Sequence, residues 1–248
     1  DEDFLLIKTM NHPLDTIPEL TDIPAVFQYD NWEIKFDSQA NFILEALRLT
    51  PSRRLSVKPG FTYGHLQGDF SEVGEAGYYP LKDMDMKLFV NWLARSGDII
   101  LHASGVMVDG MGVAFAGKAG AGKSTLASFL LRNYAVKVLG EDQVVLRYID
   151  NRFWIFGTPW HEKPEMCSPL GVPLEKLFFL DRDMPNGVTE VKPVECTTRI
   201  MQTAFVPFYR QDLLPGIMDR LGTLSTRVPA FTLSYQIETD PWPLIVRA

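Results

Sequence analysis

The chain has 248 residues, a net charge of −7 and a pI near 5.1, with 46% hydrophobic and 22% charged residues. A globular chain of this length buries enough surface to fold without disulfides or a structural metal, and its acidic balance argues against sequence-independent binding to a nucleic-acid backbone. No run of 18 consecutive apolar residues occurs, so no transmembrane helix is expected. Cys167 and Cys196 form neither a disulfide framework nor a metal motif. The expectation is a cytoplasmic protein with free thiols and no membrane or nucleic-acid partner.

Residues 1–80 read as a β-rich portion. Short apolar runs at Phe4–Ile7, Ala25–Tyr29 and Trp32–Phe36 are separated by Pro, Asp and Asn, which punctuate strands. Phe42–Leu49 fits a strand or a short helix, and periodicity does not separate them. Pro51–Gly77, rich in Gly and polar residues, reads as loop or hairpin. A helix is predicted over Asp83–Arg95, where Met84, Leu88, Trp92 and Leu93 share a face and Gly97 follows as a stop.

Strands are predicted at Ile99–His102, Ser104–Val108 and Val113–Ala116, the last two joined by a tight turn over Asp109–Gly112. A helix over Ser124–Tyr134 follows. Strands come next at Val136–Leu139, Val144–Tyr148 and Phe153–Phe156, with a turn at Asp150–Asn151. The remainder reads as a strand at Lys176–Leu180, a helix over Pro193–Phe205, a helix over Tyr209–Leu221 interrupted at Pro215, and a strand at Ala230–Ile237. Asp240-Pro-Trp-Pro is expected to end regular structure. The fold class is therefore α/β with a mixed sheet. The organisation is a β-rich portion over 1–80 and a larger portion over 81–248, with no Ser/Gly linker between them.

The chemistry is concentrated at Gly117-Lys118-Ala119-Gly120-Ala121-Gly122-Lys123-Ser124, which fits the P-loop pattern G-x-x-x-x-G-K-[ST]. An apolar strand enters this loop and a helix leaves it, the order the pattern requires. The glycines permit positive φ and close approach, so that backbone N–H groups of Gly117 through Thr125 can face phosphate oxygens. The helix N-terminus adds positive potential. Lys123 neutralises the β- and γ-phosphates, and the Ser124 hydroxyl supplies an oxygen to Mg²⁺. The loop grips phosphates and not the base, so ATP and GTP are not separated at this stage.

The fate of the γ-phosphate depends on acids elsewhere. Glu141-Asp142 follows the run Val136–Leu139, where a carboxylate pair can hold Mg²⁺ and take a proton from an attacking hydroxyl. Adjacent strand carboxylates point to opposite faces unless the backbone bends, so the two are expected to do different work. His102, in an apolar strand, reads as a core residue when taken alone. His161 and Glu162 sit in a Gly- and Pro-containing turn that could present either to a site. His12 and His65 have no arguable partners. Arg199 and Arg210 are candidates for phosphate contact, weighed against ordinary surface arginines.

The stretch from Leu101-His102-Ala103-Ser104-Gly105 through Val108-Asp109-Gly110 to Gly117–Ala127, followed by Glu141-Asp142, resembles the HPr kinase/phosphorylase family. It is similar more broadly to the kinases that share a nucleotide fold with phosphoenolpyruvate carboxykinase. The likeness is clear over roughly residues 98–180. It implies a phosphoenolpyruvate carboxykinase-like P-loop fold, with ATP and Mg²⁺ as cofactors. It implies Glu141 as general base on an acceptor hydroxyl, supported by Asp142 and His102. Lys123 would hold phosphate, and Ser124 and Asp142 would hold the metal. A further acidic metal ligand is implied downstream, at Glu162 or Glu165. The family pattern has Asp-Asp where this chain has Glu-Asp, and the segment associated with phosphorylase activity finds no match. The resemblance therefore favours a stand-alone relative that phosphorylates a hydroxyl, such as that of serine, on a small molecule or peptide. A nucleotide-binding module without transfer is the alternative. The first 80 residues could carry acceptor recognition, and no oligomeric interface is readable.

Overall fold

The computed structural model describes residues 5–11, 20, 22–29, 32–46, 53–68, 70, 81, 84–161, 163–182, 184–236 and 239–248. The chain divides into two compact units, Asp1–Trp92 and Leu93–Ala248, and the division falls within a helix.

The first unit holds a six-stranded sheet. Its strands are β1 (Leu6–Asn11), β2 (Ala25–Tyr29), β3 (Trp32–Phe36), β4 (Phe42–Ala46), β5 (Arg53–Val57) and β6 (Tyr63–Gly68), in the order β1-β6-β5-β4-β3-β2. β1 pairs with β6 in parallel, and the other neighbours are antiparallel. Phe42–Leu49 resolves as strand over Phe42–Ala46, with 47–49 outside the described residues. The loop or hairpin expected over Pro51–Gly77 contains β5 and β6, an antiparallel pair around a tight turn at 58–62. Helix α1 (Asp85–Ala94) ends at the predicted Gly97 stop, which has φ +70°.

Ile34, Leu44, Leu55, Val57 and Leu66 are buried in this sheet. So are charges. Lys35 Nζ lies 2.8 Å from the Glu45 carboxylate and 3.1 Å from Glu33, and Arg54 Nε donates to Glu45 at 2.6 Å. Glu33 and Arg54 each stand opposite Glu45 in the ladder. Pairing of this kind offsets part of the cost of burying charge.

The second unit is built on a mixed sheet. The strands are β7 (Ile99–Val108), β8 (Met111–Ala116), β9 (Lys137–Gly140), β10 (Gln143–Ile149), β11 (Arg152–Phe156), β12 (Gly171–Leu180), β13 (Gly187–Glu190), β14 (Ala204–Phe205) and β15 (Ala230–Ser234). The main path runs β11-β10-β7-β8-β12-β15-β13, with β9 and β14 also paired to β7. The helices are α2 (Lys123–Asn133), α3 (Pro193–Met201), α4 (Leu214–Arg227) and α5 (Trp242–Arg247). Side-chain alternation divides the core. Ala114 and Ala116 of β8 and Leu177 and Phe179 of β12 pack with Ile200 of α3 and Leu221 and Leu224 of α4. Val113, Phe115, Phe178 and Leu180 pack with Leu126 and Leu130 of α2 and Ile245 of α5. Period-2 strands between two helical layers produce this division. Among the described residues, no helix is long and apolar enough to cross a membrane.

Several expectations need correction. Ile99–His102 and Ser104–Val108 are one continuous strand. The helix expected over Pro193–Phe205 stops at Met201, because Ala204 and Phe205 pair with Leu101 and Ile100 of β7. Pro215 opens α4 rather than interrupting a helix. Proline in a first turn lacks only an N–H that has no intrahelical partner there. The same reason corrects the expected end at Asp240-Pro-Trp-Pro, which leads into α5. The strand expected over Ala230–Ile237 ends at Ser234, and β13 beside it went unpredicted. The turns at Asp109-Gly110 (φ 49° and 79°) and Asp150-Asn151 (φ 47° and 62°) have positive φ at both central residues. That is the type I′ signature, which suits the twist of paired strands.

Candidate functional site

β8 and β12 run parallel, so their C-terminal ends open on the same edge of the sheet. The Gly117–Ser124 loop leaves β8 there and enters α2. Gly120 (φ +78°) and Gly122 (φ +94°) adopt left-handed backbone that residues with a Cβ rarely adopt. Gly122 is the N-cap of α2 and offers no side chain to its first turn. The helix therefore presents backbone N–H groups to whatever lies before it, the arrangement that binds anions.

A cavity of about 380 Å³ lies against the loop. It is lined by Ala119, Gly120, Gly122, Lys123, Ser124 and Thr125, together with His102, Asp142 and Arg182. The Lys123 ammonium folds back into the loop, donating to the carbonyls of Gly117 at 2.9 Å and Lys118 at 3.1 Å. Its Nζ also lies 2.8 Å from His102 Nε2. Burial holds Lys123 below its ordinary value, and the nearby Asp142 charge offsets part of that effect.

The acidic pair owes its position to β7. β9 pairs with Gly105–Met107, and β10 pairs with Ile99–His102. Glu141-Asp142 lies between them, opposite Ala103-Ser104, where the ladder opens. The two carboxylates there take different environments. Glu141 is buried, whereas the Asp142 side chain is 49% exposed. The buried Ser104 hydroxyl donates to the Glu141 carbonyl, and the Ser124 hydroxyl lies 3.4 Å from the same oxygen.

His102 Nδ1 lies 3.2 Å from the Asp142 carboxylate and 3.1 Å from the Asp142 carbonyl. A lysine ammonium can only donate, so Nε2 accepts from Lys123 and the ring proton sits on Nδ1, toward Asp142. Lys123, His102 and Asp142 thus form one hydrogen-bonded chain, and all three line the cavity.

A second cavity, about 310 Å³, adjoins the first and shares Ser124 and Asp142 with it. Glu141, Trp160 and His161 complete it. The Thr158 hydroxyl donates to the Gln143 carbonyl at 2.7 Å and ties the 157–161 segment to the start of β10. Glu162 lies outside the described residues, as does His12. Glu165 sits exposed on a 3-10 turn (Pro164–Met166) and lines neither cavity. His65 lies in β6, stacked edge-on against Tyr63.

A third cavity, about 450 Å³, flanks the other side of the loop. Its lining includes Gly117, Lys118, Ala121, Phe179, Arg182 and Arg199. Arg199 pairs with Glu195 at 2.6 Å, donates to the Thr232 hydroxyl at 2.8 Å and lies over the Phe179 ring. Arg210 makes a bidentate pair with Asp212, at 2.9 and 2.7 Å, which holds that carboxyl below its usual value. The sequence reading missed Arg182 and Trp160. Arg182 directly follows the apolar run of β12, and ligand-facing residues gather at the C-terminal ends of parallel strands. That position was the available signal.

No protein-family model matches the chain, and no curated protein matches its sequence. Among solved structures, it is similar to the Hpr(Ser) kinase/phosphatase from Coxiella burnetii. That likeness has 15% identity and a TM-score of 0.36, covering 59% of this chain and 90% of the other. At that identity and score, it assigns no role to any residue here.

Proposed function

We propose that this chain binds a nucleoside triphosphate, ATP in the first instance, and transfers its γ-phosphate to an acceptor hydroxyl, that of serine on a small molecule or peptide. The observation that carries this reading is the pair of adjoining cavities. One lies against the Gly117–Ser124 loop, and the other is lined by the buried Glu141 together with Ser124, which supports entry of an acceptor there. A site for nucleotide binding alone has no need of the second.

The loop N–H groups and Lys123 hold the phosphates. To reach them, Lys123 exchanges its contacts with the Gly117 and Lys118 carbonyls for phosphate oxygens. The acceptor hydroxyl lies between Glu141 and the γ-phosphorus. Its oxygen forms the new bond to phosphorus, its proton passes to the Glu141 carboxylate, and the bond to the β–γ bridging oxygen breaks, releasing the diphosphate. His102, held by Asp142, fixes Lys123 and keeps a proton donor directed at the Asp142 carboxylate.

The residues present fit a magnesium ion. The Ser124 hydroxyl and the Asp142 carboxylate are hard oxygen donors lining one cavity, and Mg²⁺ takes its remaining ligands from phosphate and water. Bound there, Mg²⁺ would offset negative charge on the transferring phosphoryl group. Glu165, exposed on its turn, is proposed as a ligand only through the family resemblance.

The test is nucleotide binding by calorimetry, with and without Mg²⁺. Lys123→Ala is expected to weaken affinity by about 10- to 100-fold, the usual loss for a charge-assisted contact. Equal affinity in the variant would contradict the role given to Lys123.

A further inference from the structure

We infer that Arg182 is a phosphate-binding residue of this site, a second cation that lies over the loop at Gly122. The inference rests on the proposed nucleotide site and adds to it a residue that lies outside the P-loop motif.

Three observations converge on Arg182. It lines both cavities that flank the loop, so its side chain stands between them. Its guanidinium also occupies the space over Gly122. A Cβ built on that glycine would fall 2.1 Å from Arg182 Nη2 and 2.9 Å from Cζ. The absence of a side chain at position 122 thus lets an arginine lie directly against the backbone of the phosphate loop. Finally, the Tyr235 hydroxyl lies 3.5 Å from the carbonyl of Gly122, the same residue that the guanidinium covers. Tyr235 is only 8% exposed and packs in the core beside α2. Burial raises its hydroxyl above the ordinary value, and the Arg182 charge offsets part of that rise.

The backbone is anchored as well. Asp181 N donates to the Leu233 carbonyl at 3.0 Å, continuing the parallel pairing of β12 with β15 up to the residue before Arg182. A fixed stem and an exposed head suit a side chain that must meet an incoming anion. The guanidinium fork matches the spacing of phosphate oxygens, which a lysine ammonium meets only as a point charge. By contrast, the guanidinium of Arg199 is engaged by Glu195 and Thr232, and that of Arg210 by Asp212.

The experiment is calorimetric titration of the full chain with Mg²⁺–ATP and with inorganic tripolyphosphate, which offers phosphates without a base. Arg182→Ala is expected to bind both about 10-fold more weakly or worse, with an unfolding temperature like that of the parent because Arg182 is exposed. Arg182→Lys is expected to recover only part of the loss. Tyr235→Phe removes the hydroxyl that lies against the Gly122 carbonyl beneath the guanidinium. It is expected to weaken tripolyphosphate binding in the presence of Arg182 and to have no further effect in the Arg182→Ala background. Parent-like affinity in Arg182→Ala, with affinity lost in Lys123→Ala, would overturn the inference and leave the loop reading standing. Failure of the parent chain to bind either ligand would overturn the nucleotide site, and this inference with it.

Discussion

At the scale of single residues, the site depends on side chains whose contacts limit what each can do. The Lys123–His102–Asp142 chain illustrates this: a donor-only ammonium fixes the imidazole tautomer, and the carboxylate orients the ring. The loop between β8 and α2 was legible in the sequence because eight consecutive positions fit one pattern. His102 was legible only through the family resemblance, since nothing local distinguishes it from a core histidine. Its hydrogen-bond partner, Asp142, lies 40 positions away. Outside the site, Asp37 shows the same control by contacts. Its carboxylate accepts from the Asn41 side chain at 2.8 Å and from the backbone N–H groups of Gln39 and Asn41, both at 2.9 Å. The Asn41 amide is the main reason its pKa lies below the ordinary 3.8. A depressed aspartate stabilises the fold above its unfolded value, and that contribution disappears as pH falls through the lower folded value. Asp37→Asn is therefore expected to cost up to about 1 kcal/mol at pH 7, after allowance for solvent screening. The cost should vanish below the folded pKa. Urea unfolding at neutral and strongly acid pH checks this, and an equal deficit at both would contradict it.

At the scale of elements, close backbone approach shapes the segment that lines the second cavity. Gly157 ends the run of β11 where the chain crosses β9. A Cβ there would lie 2.0 Å from the Ser168 carbonyl oxygen and 2.3 Å from that of Leu139. Both are backbone atoms, so relief requires the 157–161 segment to move, and Trp160 and His161 move with it. Gly157→Ala is expected to cost about 1–3 kcal/mol, a fall in Tm on the order of 5 °C. It should also reduce transfer more than nucleotide binding. A variant with parental Tm and transfer would show that the crossing has more room than the structure gives it. Most elements of the second unit were legible because their apolar runs are short and bounded by Gly, Asp and Asn. Errors gathered at prolines. Pro215 and Pro243 occupy first turns, where proline starts a helix, although the same residue mid-sequence reads as a break. β13 was missed because Gly187–Glu190 is short and half polar, and it exists only by pairing with β15.

At the scale of the whole molecule, the described cavities and their acids, lysine and arginine all belong to Leu93–Ala248. The first unit is a sheet with a buried ionic group around Glu45, which composition and periodicity could not reveal. Lys35, Glu45 and Arg54 sit on strand positions that an alternating pattern assigns to solvent, and only cross-strand register shows that they meet. The mixed α/β class was readable, whereas the opening of the β9–β10 ladder on β7 was not, because it depends on register. Glu141 and Asp142 lie in that opening, and both line the second cavity. The claim that the site transfers phosphate, rather than only binding nucleotide, rests on Glu141. The most direct measurement is mass spectrometry of serine and serine-containing peptides incubated with Mg²⁺–ATP and either the parent chain or Glu141→Gln. The account predicts one added phosphoryl group on an acceptor hydroxyl with the parent chain. It predicts about 100-fold or greater loss of that transfer in Glu141→Gln, with nucleotide affinity retained. Equal phosphorylation by Glu141→Gln, or tight nucleotide binding by the parent with no acceptor modified, would contradict it.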